Sequence, residues 1–285
     1  MGKRVGVLPH ALKPEAREIG AKVVQWLAEH GHEPCLHADD AASFGHEDFA
    51  ISREHFASLD LLCVLGGDGT MLHGIELAGF AGVPILGVNM GSLGFLTEVS
   101  VDEVYDALER ALTGDCEIDE RSTVSGEVTH ADGSRLSLGE AINEVSVERG
   151  VGGKIIQMSL TIGGQPFTTF GADGLIVATP TGSTAYAFSM HGPVVAPQVR
   201  CLDVVAVGAH GLFDRPLVVA PDQDVEIAVR GGGRGIVLVD GKPRTEIGDG
   251  DVLRAAVGSS VVRLVRLAPD SFFTRLVRRF GIPPV

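Results

Sequence analysis

Asp68 stands between two glycines in the run Gly66-Gly67-Asp68-Gly69-Thr70, directly after the apolar stretch Leu61-Leu62-Cys63-Val64-Leu65. A carboxylate in that setting is placed to take a proton or meet a metal. The three glycines leave main-chain N–H groups uncovered, so a phosphate can approach closely. The apolar stretch reads as a buried strand, and the glycines permit a tight turn at its carboxyl end. Open α/β sheets place their ligands there. The spacing points to phosphoryl transfer rather than nucleotide storage. Gly66, Gly67, Gly69 and Thr70 are the candidate phosphate loop, with Thr70 opening a helix whose positive end favours anions.

Four further motifs carry polar chemistry. Gly87-Val88-Asn89-Met90-Gly91-Ser92-Leu93-Gly94-Phe95-Leu96 is a second glycine-rich turn after a strand. Asn143-Glu144 follows the apolar pair Ala141-Ile142; an amide both donates and accepts, while a carboxylate accepts from ribose hydroxyls or an exocyclic amine. Asp173 sits beside Gly174 at the start of Leu175-Ile176. Thr179-Pro180-Thr181-Gly182-Ser183-Thr184-Ala185-Tyr186 supplies a hydroxyl-rich helix start. There Ser183 and Thr184 either donate to a ligand or cap the backbone, and Tyr186 adds an aromatic face and a hydroxyl. Neither a Gly-x-x-x-x-Gly-Lys-Ser/Thr loop nor a Gly-x-Gly-x-x-Gly fingerprint is present, so a bound dinucleotide is expected as phosphoryl acceptor and not in hydride-transfer geometry.

In this order and spacing the five motifs resemble the NAD kinase family, densely from residue 60 to 283 and thinly before. Gly-Gly-Asp-Gly-Thr alone is shared with diacylglycerol-kinase-like and phosphofructokinase-like enzymes; the Thr179–Tyr186 spelling makes the match specific. The resemblance implies transfer of the γ-phosphoryl group of ATP, or of polyphosphate, to the 2′-hydroxyl of the adenosine ribose of NAD, giving NADP. It assigns Asp68 as proton acceptor; a carboxylate is a weak base and would take the proton late, as bonding to phosphorus acidifies the hydroxyl. It places Asp68, Gly69, His73, Asn143, Glu144, Lys154, Asp173 and the segment Thr184, Ala185, Tyr186, Ala187, Phe188, Ser189 against NAD or nucleotide. His73 is either a pH-dependent contact or a solvated histidine, and Lys154 either neutralises phosphate or is solvated. Ser183, Asp240 and Lys242 are weaker candidates. Met190-His191-Gly192-Pro193 departs from the pattern, since relatives commonly carry two glycines there. No protein metal cluster is legible, so Mg²⁺ is expected to arrive on the ATP phosphates. The resemblance also implies a homodimer or homotetramer built through the β-rich domain. Two rivals remain: a lipid or sugar kinase with the same loop, and a non-catalytic dinucleotide sensor, which has no need of Asp68.

The elements that must hold these residues fall into two textures. Up to about residue 116 strand-like and helix-like patterns alternate, as at Val5-Gly6-Val7-Leu8, a helix from Pro14 with Ile19, Val23 and Leu27 on one face, a helix over 70–78, a strand over 84–88 and a helix over 101–112. That alternation predicts a parallel sheet covered by helices. Beyond it come short β-rich segments separated by glycine turns, which predict a sandwich-like layered sheet, and then an amphipathic helix over 270–280. The expected fold is a Rossmann-like α/β domain (1–115 plus 270–285) and a C-terminal β-sandwich-like domain (116–269), with the last helix returning to the first. The formal net charge of −14 argues against a nucleic-acid partner. Four scattered cysteines form no zinc or disulfide pattern, and no apolar run spans a membrane, so a cytoplasmic protein is expected.

Overall fold

The computed structural model describes residues 2–91, 94–150, 155–209, 215–267 and 272–283. Its contacts divide the chain into Met1–Glu120 with Val261–Val285, and Arg121–Ser260.

The first unit is a parallel α/β sheet. Its elements run β1 (Arg4–Pro9), α1 (Pro14–Glu29), β2 (Glu33–His37), α2 (Ala38–Phe44), β3 (Ala50–Ile51), β4 (Leu61–Gly66), α3 (Asp68–Leu77), β5 (Pro84–Asn89), β6 (Val99–Ser100) and α4 (Val104–Thr113). The strands lie in the order β3-β2-β1-β4-β5. All six residues of β4 are buried, because parallel neighbours flank both edges and helices cover the faces. The register sets Val7 beside Cys63 and Cys63 beside Leu86. Pro14 starts α1, where a missing N–H costs nothing. Its buried stripe of Ala16, Gly20, Val23, Val24 and Leu27 recurs at helical spacing. Strand order reverses between β1 and β4, so the chain leaves the sheet to opposite sides and opens a crevice at their carboxyl ends.

Two helix boundaries differ from the sequence reading. Helix α3 begins at Asp68 and not Thr70, because Gly67 takes an extended N-cap conformation and a carboxylate in the first turn suits the helix dipole. The helix read over 101–112 starts as a 3₁₀ turn at Val101–Glu103, closed by a Ser100–Glu103 capping box, and only then becomes α4.

The second unit is a two-layer β structure. It is built from β7 (Glu117–Thr129, from residue 121 on), β8 (Arg135–Ala141), β9 (Glu144–Arg149), β10 (Ile156–Ile162), β11 (Gln165–Ala172), β12 (Gly174–Ala178), the single-turn helix α5 (Tyr186–Ser189), β13 (Leu202–Val207), β14 (Leu217–Val219), β15 (Val225–Arg230), β16 (Gly235–Val239), β17 (Lys242–Ile247) and β18 (Val252–Arg266, up to residue 260). One layer orders β11-β10-β15-β18, and the other orders β14-β13-β12-β9-β16-β17. Alternate side chains of both face inward and share one core, with Met158, Ile227 and Leu253 from the first and Val147, Val177 and Val237 from the second. Residues 261–266 of β18 lie in the first unit and pair in parallel with β5. Helix α6 (Phe272–Phe280) ends the chain with Phe272 and Arg275 buried; its expected first turn at 270 falls outside the described residues. No helix among the described residues is long and apolar enough to cross a membrane.

Leu86, fully buried in β5, tests this packing. Leu86→Ala is expected to cost about 2–5 kcal/mol, read from urea unfolding followed by circular dichroism; a change within error would contradict the core assignment.

Candidate active site

A cleft of about 800 Å³ opens at the reversal of strand order in the first unit. Pro9, His10 and Lys13 line it from the end of β1, and Gly67, Gly69, Thr70 and His73 from the end of β4 and the start of α3. Arg17, His37 and Arg53 complete the basic side, against Asp39 and Asp40. The first turn of a helix carries N–H groups with no carbonyl behind them. Here Thr70 and Met71 turn back to the Gly67 carbonyl, which leaves the amides of Asp68 and Gly69 at the mouth of the helix. A Cβ added at Gly67 or Gly69 would meet nothing within 4 Å, and neither residue has a positive φ. Nothing in the local fold requires glycine at either place, so the empty space itself is the feature: it admits an anion to the backbone. Gly66 behaves differently. It is buried and its missing Cβ makes room for the Thr70 side chain, so it is a packing glycine and not part of the phosphate-facing surface expected from the sequence.

Asp68, the first residue of α3, is pinned from the other side. Its Oδ2 accepts the Phe95 N–H and its Oδ1 the Leu96 N–H, each at 3.0 Å. Each oxygen keeps a further lone pair. Gly94 makes this approach possible, since a Cβ there would fall inside the Asp68 carboxyl group. Ser92 and Leu93, just before it, lie outside the described residues. Asn89 closes its own turn by exchanging two hydrogen bonds with Gly91.

In the second unit the polar residues gather around the start of β9. Asp240 and Gly241 form a two-residue hairpin with φ of 46° and 72°, the left-handed pair that joins β16 to β17. The Asp240 carboxylate accepts the N–H groups of Ile142 (3.0 Å), Asn143 (2.8 Å) and Glu144 (3.2 Å). Asp240, a weak candidate in the sequence, is therefore the clamp that fixes Asn143 and Glu144. From the opposite side Thr179 N–H donates to the Asn143 carbonyl at 2.8 Å. Gly182 packs so tightly on that same backbone that no Cβ fits.

Glu144 is 6% exposed. Burial, reinforced by the Asp240 and Glu148 charges, pushes its carboxyl up to about 8 against the Tyr186 N–H bond that it accepts. Its Oε2 has no partner. The Tyr186 hydroxyl is raised too, first by burial and then by Glu148, Glu144 and Asp173. Asp173 pairs with Arg149 at 2.8 Å. Thus Asn143, Glu144, Asp173 and Tyr186 come together as a partly buried cluster rich in acceptors, suited to hydroxyls and amines.

The stretch 181–189 is not the continuous helix start expected. A 3₁₀ turn at Gly182–Thr184 is broken at Ala185 before α5 begins at Tyr186. Ser183 is fully buried, donates to the Pro180 carbonyl at 2.6 Å and accepts the Val195 N–H, so it holds the loop and is not a ligand contact. Thr184 donates to the Thr181 carbonyl. Ala187 is core, packed with Ile176, Ala178 and Val205, whereas Phe188 and Ser189 are exposed. His191 adopts a φ of 63°, the conformation that glycine would take without strain, at about 1 kcal/mol. Lys242 opens β17 in an exposed position, and Lys154 lies outside the described residues. Sequence reasoning missed Lys13, Arg17 and Arg53, which only the strand order brings to the cleft.

Residues 5–116 match the ATP-NAD kinase N-terminal domain and residues 142–267 the ATP-NAD kinase C-terminal domain. The NAD kinase of Moorella thermoacetica is 35% identical over 97% of this chain and 88% of its own length. NAD kinase 2 of Streptomyces avermitilis is 38% identical over 99% and 95%. The chain belongs to the ATP-NAD kinase family. Its fold is also that of yeast NADH kinase, solved in complex with NADH, with a TM-score of 0.92 at 23% identity over 100% of this chain and 89% of that one.

Two outcomes test the geometry. Gly94→Ala is expected to displace the Asp68 carboxyl while the fold survives, lowering phosphoryl transfer by about 10²-fold with an unchanged circular dichroism spectrum. Unaltered turnover would show that the Asp68 position does not matter. A carboxyl whose folded value is raised binds its proton more tightly in the native state, so its contribution to stability is present at low pH and lost as pH climbs. Glu144, moving from 4.5 to about 8, is expected to make the thermal midpoint fall between pH 5 and pH 8. Glu144→Gln should flatten that slope, and a slope identical to wild type would refute the assignment.

Proposed function

We propose that Asp68 accepts the proton of the ribose hydroxyl, that the cleft between the ends of β1 and β4 takes the phosphates of the donor, and that Asn143, Glu144, Asp173 and Tyr186 hold the acceptor dinucleotide. The chain is a phosphotransferase that uses ATP to convert NAD to NADP. The observation that carries the residue assignment is the pairing of open glycine positions with a pinned carboxylate. Gly67 and Gly69 leave space for phosphate at a helix N-terminus, and the residue between them has both oxygens fixed and one lone pair on each still open.

Such a site works mostly by holding the reactants and spreading charge, because phosphoryl transfer has little covalent chemistry for the protein to perform. Lys13, Arg17, Arg53 and His73 supply positive charge to the donor phosphates. The amides of Asp68 and Gly69 add fixed dipoles that need no reorganisation as charge develops. Asp68 takes the proton once bonding to phosphorus has acidified the hydroxyl. The divalent ion of this proposal, Mg²⁺, would travel on the nucleotide phosphates and neutralise charge there. Glu144 keeps an unpartnered buried oxygen that suits a ribose hydroxyl or an adenine amine, and Asn143 both donates and accepts.

A cleft recognised through phosphate alone would also admit polyphosphate as donor. We place the protein in a reducing cytoplasm, which suits four unpaired cysteines, and assign the β-rich unit to a homodimer or homotetramer, since its outer strands offer pairing edges. Residues 1–115 with 270–285 would serve as the nucleotide domain, and 116–269 as the NAD-binding and assembly domain.

Incubation with ATP, Mg²⁺ and NAD, with NADP read by a coupled dehydrogenase, measures the reaction. Asp68→Asn is expected to bind both substrates and to lower turnover by about 10²–10⁴-fold. Near-normal turnover would remove the proton acceptor role, and binding without any turnover by the wild-type chain would favour a dinucleotide sensor.

A further inference from the structure

The two amides that hold Asp68 are themselves held, and by the end of the chain. Leu96 donates its N–H to Asp68, and its carbonyl accepts from Arg266 Nη1 at 3.4 Å. Phe95 donates its N–H to Asp68, and its ring lies 6.2 Å from the Phe272 ring and 5.9 Å from the Phe280 ring, both on α6. Two residues on, Glu98 ties these supports together. Its Oε2 accepts from Arg266 Nη1 and from Arg275 Nη1 of α6, each at 3.2 Å, and its Oε1 from the Leu267 N–H at 2.8 Å. Arg266 Nε completes the set with Asp119 at 3.1 Å. Glu98, Arg266 and Arg275 side chains are 10%, 7% and 5% exposed. Two buried cations thus face two partly buried anions, a charge-balanced arrangement of the kind that makes buried charge tolerable, with Arg266 Nη2 alone of the Arg266 nitrogens left without a partner.

We propose that Glu98, Arg266 and Arg275 form a strut through which α6 sets the position of the Asp68 carboxylate, making Arg275 and Glu98 positioning residues for phosphoryl transfer. This rests on the reading of Asp68 as proton acceptor. No residue of the strut touches the reacting atoms. It acts by fixing the backbone of Phe95 and Leu96, and so the direction in which the remaining lone pairs of Asp68 point. The network reaches both residues that hold Asp68, through the Leu96 carbonyl and through the two α6 rings tilted against Phe95, so it bears on the Asp68 position as well as on stability. Arg275, Phe272 and Phe280 of α6 therefore have a positioning role at a distance.

The test uses the full chain and four variants: Arg275→Gln, Arg275→Lys, Asp68→Asn and the double variant of Asp68→Asn with Arg275→Gln. Arg275→Gln is expected to lower kcat by about 10–100-fold, the usual cost of losing an outer-shell partner, while the KM values for ATP and NAD stay within about threefold. Amide hydrogen exchange at Phe95 and Leu96 should accelerate. Arg275→Lys, which keeps the charge and one donor, should recover part of kcat. In the Asp68→Asn background Arg275→Gln should add no further loss, because a strut has nothing left to position. An unchanged kcat in Arg275→Gln, unaltered exchange at Phe95 and Leu96, or a full additional loss in the double variant would each overturn the strut. Failure of the proton acceptor reading shows separately, as near-normal turnover in Asp68→Asn alone. If Arg275→Gln does not fold, Phe280→Leu removes one ring from Phe95 at a partly exposed position and is read in the same way. Faster exchange with lower kcat supports the strut, and neither change refutes it.

Discussion

The site in the first unit depends on one carboxylate accepting two main-chain amides. Asp68 has little freedom of direction once Phe95 and Leu96 donate to its two oxygens at 3.0 Å, because hydrogen bonds weaken steeply away from linear geometry. Its backbone is fixed separately, as the first residue of a helix that follows a wholly buried strand. A rigid strand on one side and a second loop on the other over-determine a side chain that sits beside an open cleft. The same bonds have a second effect. They occupy two of the lone pairs through which water or a stray cation would otherwise engage the carboxylate, and leave two open.

The second unit solves a different problem, that of keeping acids buried. Glu144 and Asp203 are both almost inaccessible, and burial raises them to about 8 and about 7. Near neutral pH each therefore carries its proton for much of the time, and a protonated carboxyl is a donor as well as an acceptor. For Glu144 this widens the range of partners that its free oxygen can meet. Asp240 remains the organising charge, because three amides converge on it. The three bonds fix the turn before β9 from across the hairpin, and the Asp240 charge contributes to the raised Glu144. Burial, with the Asp240 charge adding to it, thus favours the neutral form of Glu144.

Legibility followed the range of each interaction. The strand Leu61–Gly66 and the glycine turn after it were readable because composition and local geometry agree over a few residues. So were the alternation of the first unit and the short strands of the second. The extent of α3 was misread by two residues, since the N-cap is an extended glycine that sequence does not distinguish from a turn. Ser183 reads in sequence as either a ligand donor or a backbone cap, and Ala187 as part of the segment facing the nucleotide, yet their surroundings, a Val195 amide and an apolar cluster of Ile176, Ala178 and Val205, come from separate segments of the chain. Asp240 is the sharpest case. Its partner Asn143 is 97 residues away, and only strand pairing between β16 and β9 brings them together. Lys13, Arg17 and Arg53 escaped for the same reason, because their meeting point is set by the order of β1, β2 and β4.

The overall acidity of the chain and the basic cleft follow from this arrangement and do not conflict. A net charge of −14 sets a long-range field that is screened within about 8 Å at physiological ionic strength. Inside the cleft the nearest charges decide, and there Lys13, Arg17, Arg53 and a helix N-terminus outweigh Asp39 and Asp40. A triphosphate that reaches the mouth therefore meets a local field opposite in sign to the global one. The cluster proposed for the acceptor is built the other way, from carboxyls, an amide and a phenol that suit hydroxyls and amines. Water is the remaining competitor for the phosphoryl group, and against it the enzyme sets only position. On the proposed role of Asp68, a carboxyl group held by two amides favours the one hydroxyl that binding presents to it, whereas a mobile one would serve any solvent molecule equally well.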